Sequence, residues 1–276
     1  MRPWSAVRAT ALTALAVVML APMYVLVVNA FKPQQEIAAR PFSPAFDQLT
    51  LRYLEQAWHN PDFSIVRGYA VTVFFVVCVN ALSVLLAGPV SYVIARGGSV
   101  RHHLLLVFFV AGTFIPSQVL VIPVVYVLKL LGLMGTVRGF VLFETTLTLP
   151  FSIFLYTAYI RTIPADLDEA AALDGAGRLR TFWQVIFPLM RPVVATMVIL
   201  NTFSVWNDFV NPQVILGPGS GLYTITTGIY AAVGQYTTDY TVVFPTLLLA
   251  IAPILLFFVV MQRSIVGGLT AGATKG

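Results

Sequence analysis

Charge is what this sequence has least of. Only 10% of its 276 residues are Asp, Glu, Lys or Arg, while 58% are hydrophobic, far outside the range of soluble domains, where about a quarter are charged. The mean hydropathy is +0.87. The single cysteine, Cys78, excludes an internal disulfide framework and a cysteine-based metal site; it reads as a small buried apolar residue. Histidine is also scarce, with three residues, and His102 and His103, adjacent in sequence, read as a hydrated loop pair. No combination of nucleophile, general base and oxyanion donor can be assembled, nor three metal ligands, so neither catalysis nor a metal site is expected. The net charge of +5 is modest and its basic residues are scattered, which argues against a nucleic-acid partner. One glycine-rich run, Gly217-Pro218-Gly219-Ser220-Gly221, is not followed by Lys-Ser/Thr, so it is not a phosphate-binding loop.

What the chain has in abundance is long apolar sequence. Six stretches reach the roughly 20 helical residues needed to cross a bilayer core: near 9–30, 66–95, 104–131, 139–160, 187–210 and 242–261. The expected fold is an all-α integral membrane protein forming one domain over 1–276. The first stretch follows Arg2 and Arg8, and Val28-Asn29-Ala30 resembles a signal-peptide cleavage site. Its apolar part is long for a signal peptide, so a retained span is expected. Ten Lys and Arg residues, including Arg96, Arg101, Arg161, Arg178, Arg180 and Arg191, fall on the side of the two termini. Six, including Lys32, Arg40, Lys129 and Arg138, fall on the other. The positive-inside rule then places both termini in the cytoplasm.

Within the spans, Pro116-Ser117-Gln118 offers polar groups beside a helix break, and Glu144 and Asp208 are carboxylates near the outer ends of spans four and five. Intramembrane acids commonly face a bundle interior or water, although near an interface simple hydration also accounts for them. Asn201, Trp206 and Asn207 join Asp208 in a polar and aromatic cluster suited to a sugar; a boundary Trp is also an ordinary belt residue. Ser117, Gln118, Asn201, Trp206, Asn207 and Asp208 are therefore candidates to line a solute pathway.

The longest polar break that reads as folded structure is 163–192, on the cytoplasmic side by the charge count. Pro164 suits the first turn of a helix, Asp166, Asp168 and Glu169 suit its positive end, and Ala170–Leu173 are strong helix formers. Gly175 stands where a helix ends with positive φ. From Ala176 a second helix is expected, with Leu179, Phe182, Trp183 and Ile186 forming one apolar stripe. This acidic, then greasy, helix–turn–helix requires a receptor.

Here the sequence resembles a known family. Glu169-Ala170-Ala171, three residues, Gly175, nine residues and Val185-Ile186-Phe187-Pro188 follow the EAA pattern of membrane subunits of binding-protein-dependent ABC importers. Val185 and Phe187 replace the usual Ile and Leu. Asp174-Gly175-Ala176 matches the version common in sugar importers, and Ile115–Gln118, Trp206-Asn207-Asp208-Phe209 and the ending Gly268–Gly276 resemble the carbohydrate-uptake branch, specifically the shorter membrane subunit of maltose-type permeases.

The resemblance implies a permease in the cell membrane that moves a carbohydrate or sugar-like solute, without an ATPase site or bound cofactor of its own. ATP and Mg would sit on two partner ATPase subunits. A second homologous membrane subunit and an extracytoplasmic solute-binding protein would complete the assembly. Glu169, Ala170, Ala171, Asp174, Gly175, Leu179, Phe182, Trp183 and Ile186 would couple the chain to the ATPase, with the apolar stripe as a ball in its socket. Gly217, Pro218, Gly219, Ser220 and Gly221 would contact the binding protein, and the tail bearing Lys275 would reach the ATPase dimer. A glycerol-phosphate-type importer is the near alternative, and an ion-coupled secondary transporter the distant one.

Overall fold

The computed structural model describes residues 3–44, 46–61, 63–233 and 239–273, and every regular element among them is helical. In chain order these are α1 (Pro3–Asn29), α2 (Gln34–Ala39), α3 (Arg52–Trp58), α4 (Ile65–Arg96), α5 (Val100–Gly112), α6 (Ser117–Leu130) and α7 (Val137–Ile160). There follow α8 (Asp166–Leu173), α9 (Arg178–Thr181), α10 (Phe187–Leu189), α11 (Arg191–Asn207), α12 (Val210–Ile215), α13 (Ile225–Val233) and α14 (Tyr240–Ala273). A π-helical turn, Phe182–Ile186, links α9 to α10, and Pro218–Ser220 form a 3-10 turn.

Among the described residues, four helices are long and apolar enough to span a membrane: Val7–Asn29, Ile65–Arg96, Val137–Ile160 and Tyr240–Gln262. The total reaches six if two bent pairs each count as one span. One pair is α5 and α6, where the stretch expected as a single span over 104–131 turns by 101°. Pro116 causes this, because it supplies no N–H and keeps Ile115 out of the helical region. The intervening N–H groups of Thr113, Phe114 and Ile115 close tight turns onto Val110, Ala111 and Gly112 instead. The other pair, Arg178–Leu189 and Arg191–Asn207, bends by 78° between Pro188 and Pro192. The helix expected from 187 therefore begins at Arg191.

The chain forms two compact units. In the first, Met1–Gly68 with Gly228–Leu255, polar anchors fold the chain after α2 back onto the end of α1. The fully buried Lys32 ammonium donates to the carbonyls of Arg40 (2.8 Å) and Ser43 (2.9 Å), and the Asn29 amide donates to that of Pro41 (2.9 Å). Burial pushes the Lys32 pKa down, opposed by the Glu36 carboxylate. As an internal tie, Lys32 carries less topological information than its place in the charge count implies. On α13, Gly228 lies so close to Phe63 that a methyl group would overlap the ring.

The second unit, Tyr69–Thr227 with Leu256–Gly276, contains two apolar clusters. One joins Tyr92 and Ile94 of α4 to Ile153, Tyr156 and Ile160 of α7, and to Phe182, Ile186, Met190, Val193 and Met197. The other joins Phe75 and Val79 of α4 to Phe140 and Phe143 of α7, Val205 of α11 and Ile215 of α12. Short polar side chains stitch the same helices: Ser83 to Ser152 (3.2 Å), Ser91 to the Ile153 carbonyl (3.2 Å) and Asn80 to Thr202 (3.2 Å). Such interhelical bonds average only about 0.6 kcal/mol in membranes, so they fix register more than they add stability. α14 continues to Ala273, and Lys275, expected near the ATPase dimer, lies outside the described residues.

Candidate functional site: a coupling element and a polar cavity

Two features of the second unit carry chemistry. The first is the segment from α8 to α10. Asp166, Asp168 and Glu169 occupy the first turn of α8, where they complement the helix dipole. The helix ends in a Schellman arrangement: Gly175 N–H bonds to Ala172 O (3.0 Å) and Ala176 N–H to Ala171 O (2.9 Å). Gly175 carries φ +76°, which only glycine adopts without strain. The chain then reverses into α9 and the π turn, where Phe187 N–H reaches back to Phe182 O.

The placement of the apolar stripe differs from the expected seat for a partner. Phe182 and Ile186 are fully buried in the chain's own core, and Trp183, half-buried, meets Phe182 and Phe187 edge-on at centroid distances of 4.8 and 4.9 Å. Of the four residues only Leu179 stands outward, 69% exposed. Helical spacing identified the stripe but not which body it packs against. The outward face is instead made by Leu173, 90% exposed, with Leu179, Glu169, Ala170 and Asp174; Ala171 points inward.

The second feature is a cavity of about 740 Å³ between α5, α6, α7 and α11, within the range of small-molecule sites. Ser117, Gln118, Asn207 and Asp208 line it, together with Thr113, Glu144, Thr146 and Asn211. Glu144, only 3% exposed, accepts from the Asn211 amide at 2.9 Å, and Asp208 Oδ1 accepts the Asn211 backbone N–H at 3.2 Å. The Glu144 and Asp208 carboxyl groups lie within hydrogen-bonding reach of each other. Asn201 and Trp206 do not join this lining; both are buried, with Trp206 stacked on Tyr69 at 6.2 Å. Asn211 escaped sequence reasoning because it lies beyond the end of α11, and only the turn after Asn207 brings it back over Glu144. The glycine-rich run elsewhere in this unit is an ordered turn, with Gly217 and Gly221 both at φ +64° and Pro218, Gly219 and Gly221 exposed.

Membrane-length helical spans, a half-open cavity with polar groups in its lining and a surface helix–turn–helix are the features expected of a multi-pass membrane permease. The comparisons with known proteins place it further. Residues 85–266 match the binding-protein-dependent transport system inner membrane component family, and the chain belongs to it. It is 33% identical to the multiple sugar-binding transport system permease protein MsmG of Streptococcus mutans, over 96% of this chain and 95% of that protein. It is 32% identical to the diacetylchitobiose uptake system permease protein NgcG of Streptomyces coelicolor, over 99% of this chain and 90% of that protein. In fold it is similar to a chain of a bacterial ABC transporter involved in the import of the acidic polysaccharide alginate, with a TM-score of 0.82, 20% identity and coverage of 95% and 96%.

Proposed function

We propose that the chain is the membrane permease subunit of an ATP-driven importer that moves a carbohydrate into the cytoplasm. The observation that carries this reading is the exposed face of the kinked coupling element, Glu169, Leu173 and Leu179 around a glycine-capped turn, in a chain whose relatives are sugar permeases. On this reading the element faces the cytoplasm and docks on one of two ATPase subunits, and a second membrane subunit completes the pathway. ATP binding on the partners shifts the assembly between inward-open and outward-open states. The turn Gly217–Gly221 lies on the opposite side and meets the solute-binding protein.

The cavity favours an uncharged sugar over a phosphorylated solute. Glu144 and Asp208 line it, and no Lys or Arg is among its described lining residues. An anionic solute would find no basic side chain to pair with there and would face the Asp208 carboxylate, whereas sugar hydroxyls can donate to Asp208 and to the side-chain oxygens of Asn207 and Asn211.

The test is uptake by proteoliposomes containing the full assembly with its co-encoded subunits. Sugar uptake should require ATP and be abolished by Glu169→Lys, with the variant chain still inserted. Uptake that persists unchanged in that variant sinks the coupling assignment. Glycerol phosphate transported as well as neutral sugars sinks the solute class.

A further inference from the structure

The end of α4 holds both arms of the coupling element, and one guanidinium lies at the centre of the contacts. Arg96, the last residue of α4, places Nη2 at 2.8 Å from Asp168 Oδ2 in the first turn of α8. Its Nη1 donates to Ile163 O at 3.0 Å, and Nη2 approaches Pro164 O at 3.4 Å. Those carbonyls follow the C-terminus of α7, where positive charge is favoured by the helix dipole. One turn earlier on α4, the Tyr92 hydroxyl donates to the other Asp168 oxygen at 2.5 Å. The Tyr92 ring also lies 5.5 Å from that of Phe182. A further turn back, Gly88 leaves only enough room for the Phe182 ring, since a Cβ there would sit 2.9 Å from Phe182 Cζ.

Two arms of a kinked element, one on either side of Gly175, are thus fixed to the same two turns of one helix. An exposed ion pair would mean little, but the Arg96 and Asp168 side chains are only 20% and 19% exposed. Arginine's planar fork can reach a carboxylate and two carbonyls at once, a pattern lysine's single ammonium does not reproduce. From this anchorage α4 runs back through the bundle, bonding to α7 at Ser152 and to α11 at Thr202. Those two helices carry Glu144 and Asn207 of the cavity.

We infer that Arg96, with Asp168 and Tyr92, is a positioning lock that fastens the coupling element to α4 and makes α4 the lever carrying docking motion to the cavity. This rests on the coupling role proposed above. It differs from docking: Glu169 faces outward to meet a partner, whereas Arg96 faces the chain's own helices. Loss of the lock leaves the ATPase attached but lets the element move without the bundle.

The experiment measures solute imported per ATP hydrolysed in proteoliposomes of the full assembly, alongside copurification of the ATPase. Arg96→Gln and Asp168→Asn should retain the ATPase and lower the ratio at least about fivefold, the low end of typical inter-site coupling. Arg96→Lys and Tyr92→Phe should give intermediate ratios, and they carry the test if Arg96→Gln fails to accumulate in the membrane. The exchanged pair Arg96→Asp with Asp168→Arg should recover part of the loss, which a mere packing defect would not. An unchanged ratio in Arg96→Gln overturns the lock, as does loss of the ATPase from Arg96→Lys and Tyr92→Phe. Failure of the underlying reading shows separately, as an unsubstituted chain that captures no ATPase.

Discussion

Replacing Gly175 by alanine isolates the contribution of one backbone angle. Gly175 sits at φ +76° between two arms of the coupling element, and an added Cβ would find nothing within 4 Å. Overlap therefore contributes nothing, and the whole effect comes from forcing an L-residue into the left-handed region, about 1–2 kcal/mol. Gly177, two residues on, is the control. Its Cβ would also find nothing within 4 Å, but its φ of −72° suits any residue. Gly177→Ala should be neutral, or stabilising by roughly 0.4–1 kcal/mol through the unfolded state. The assay is amide hydrogen exchange on peptides spanning 166–181 in the assembled transporter. In Gly175→Ala the Ala176 amide, bonded to Ala171 O at 2.9 Å, should exchange about 5–30 times faster, the factor corresponding to that energy. Gly175→Asn should fall between, because asparagine tolerates this region better. Equal behaviour of the two alanine variants would refute the claim that a positive φ sets the joint.

Three further outcomes follow from the same geometry. Gly228→Ala should lower the melting temperature of the purified protein, since its methyl group overlaps the buried Phe63 ring and overpacking typically costs about 1–3 kcal/mol; the double variant with Phe63→Leu should regain part of the loss. Lys32→Met should loosen the chain at 33–44, seen as faster limited proteolysis, because the carbonyls of Arg40 and Ser43 lose their donor at about 1–3 kcal/mol for a buried unsatisfied group. Asp208→Asn, whose side-chain oxygen can still accept from the Asn211 N–H, should keep uptake of a neutral sugar and weaken discrimination against anionic sugars, measured by competition.

The sequence declared some parts of this molecule and concealed others for physical reasons. Span-length apolar runs are local, so α1, α4, α7 and α14 were readable directly, and Gly175 was readable because only a glycine fits a helix end of that kind. The 101° turn between α5 and α6 was hidden because Leu104–Leu128 is apolar apart from Thr113, Ser117 and Gln118; Pro116 marked a break without revealing its angle. The stripe Leu179, Phe182, Trp183 and Ile186 shows the opposite limit. Periodicity reports that a face is apolar, and packing alone decides whether it meets a partner or the chain's own core. The cavity was half legible: Ser117, Gln118, Asn207 and Asp208 were found from polar residues inside apolar sequence. Asn211 and the approach of Glu144 depend on contacts between residues 67 positions apart. Arg96 was counted only as a topological charge, since nothing local links it to Asp168, 72 residues away by numbering.

In the proposed arrangement the α8–α10 element docks on an ATPase while the Gly217–Gly221 turn faces the other side of the membrane. The most direct test places a photo-crosslinking amino acid at Leu173, 90% exposed on the element, or at Gly219, exposed on the turn, in cells expressing the complete transporter. Leu173 is expected to capture the co-encoded ATPase, and Gly219 the solute-binding protein. Capture of the ATPase from Gly219 and not from Leu173 would contradict that arrangement.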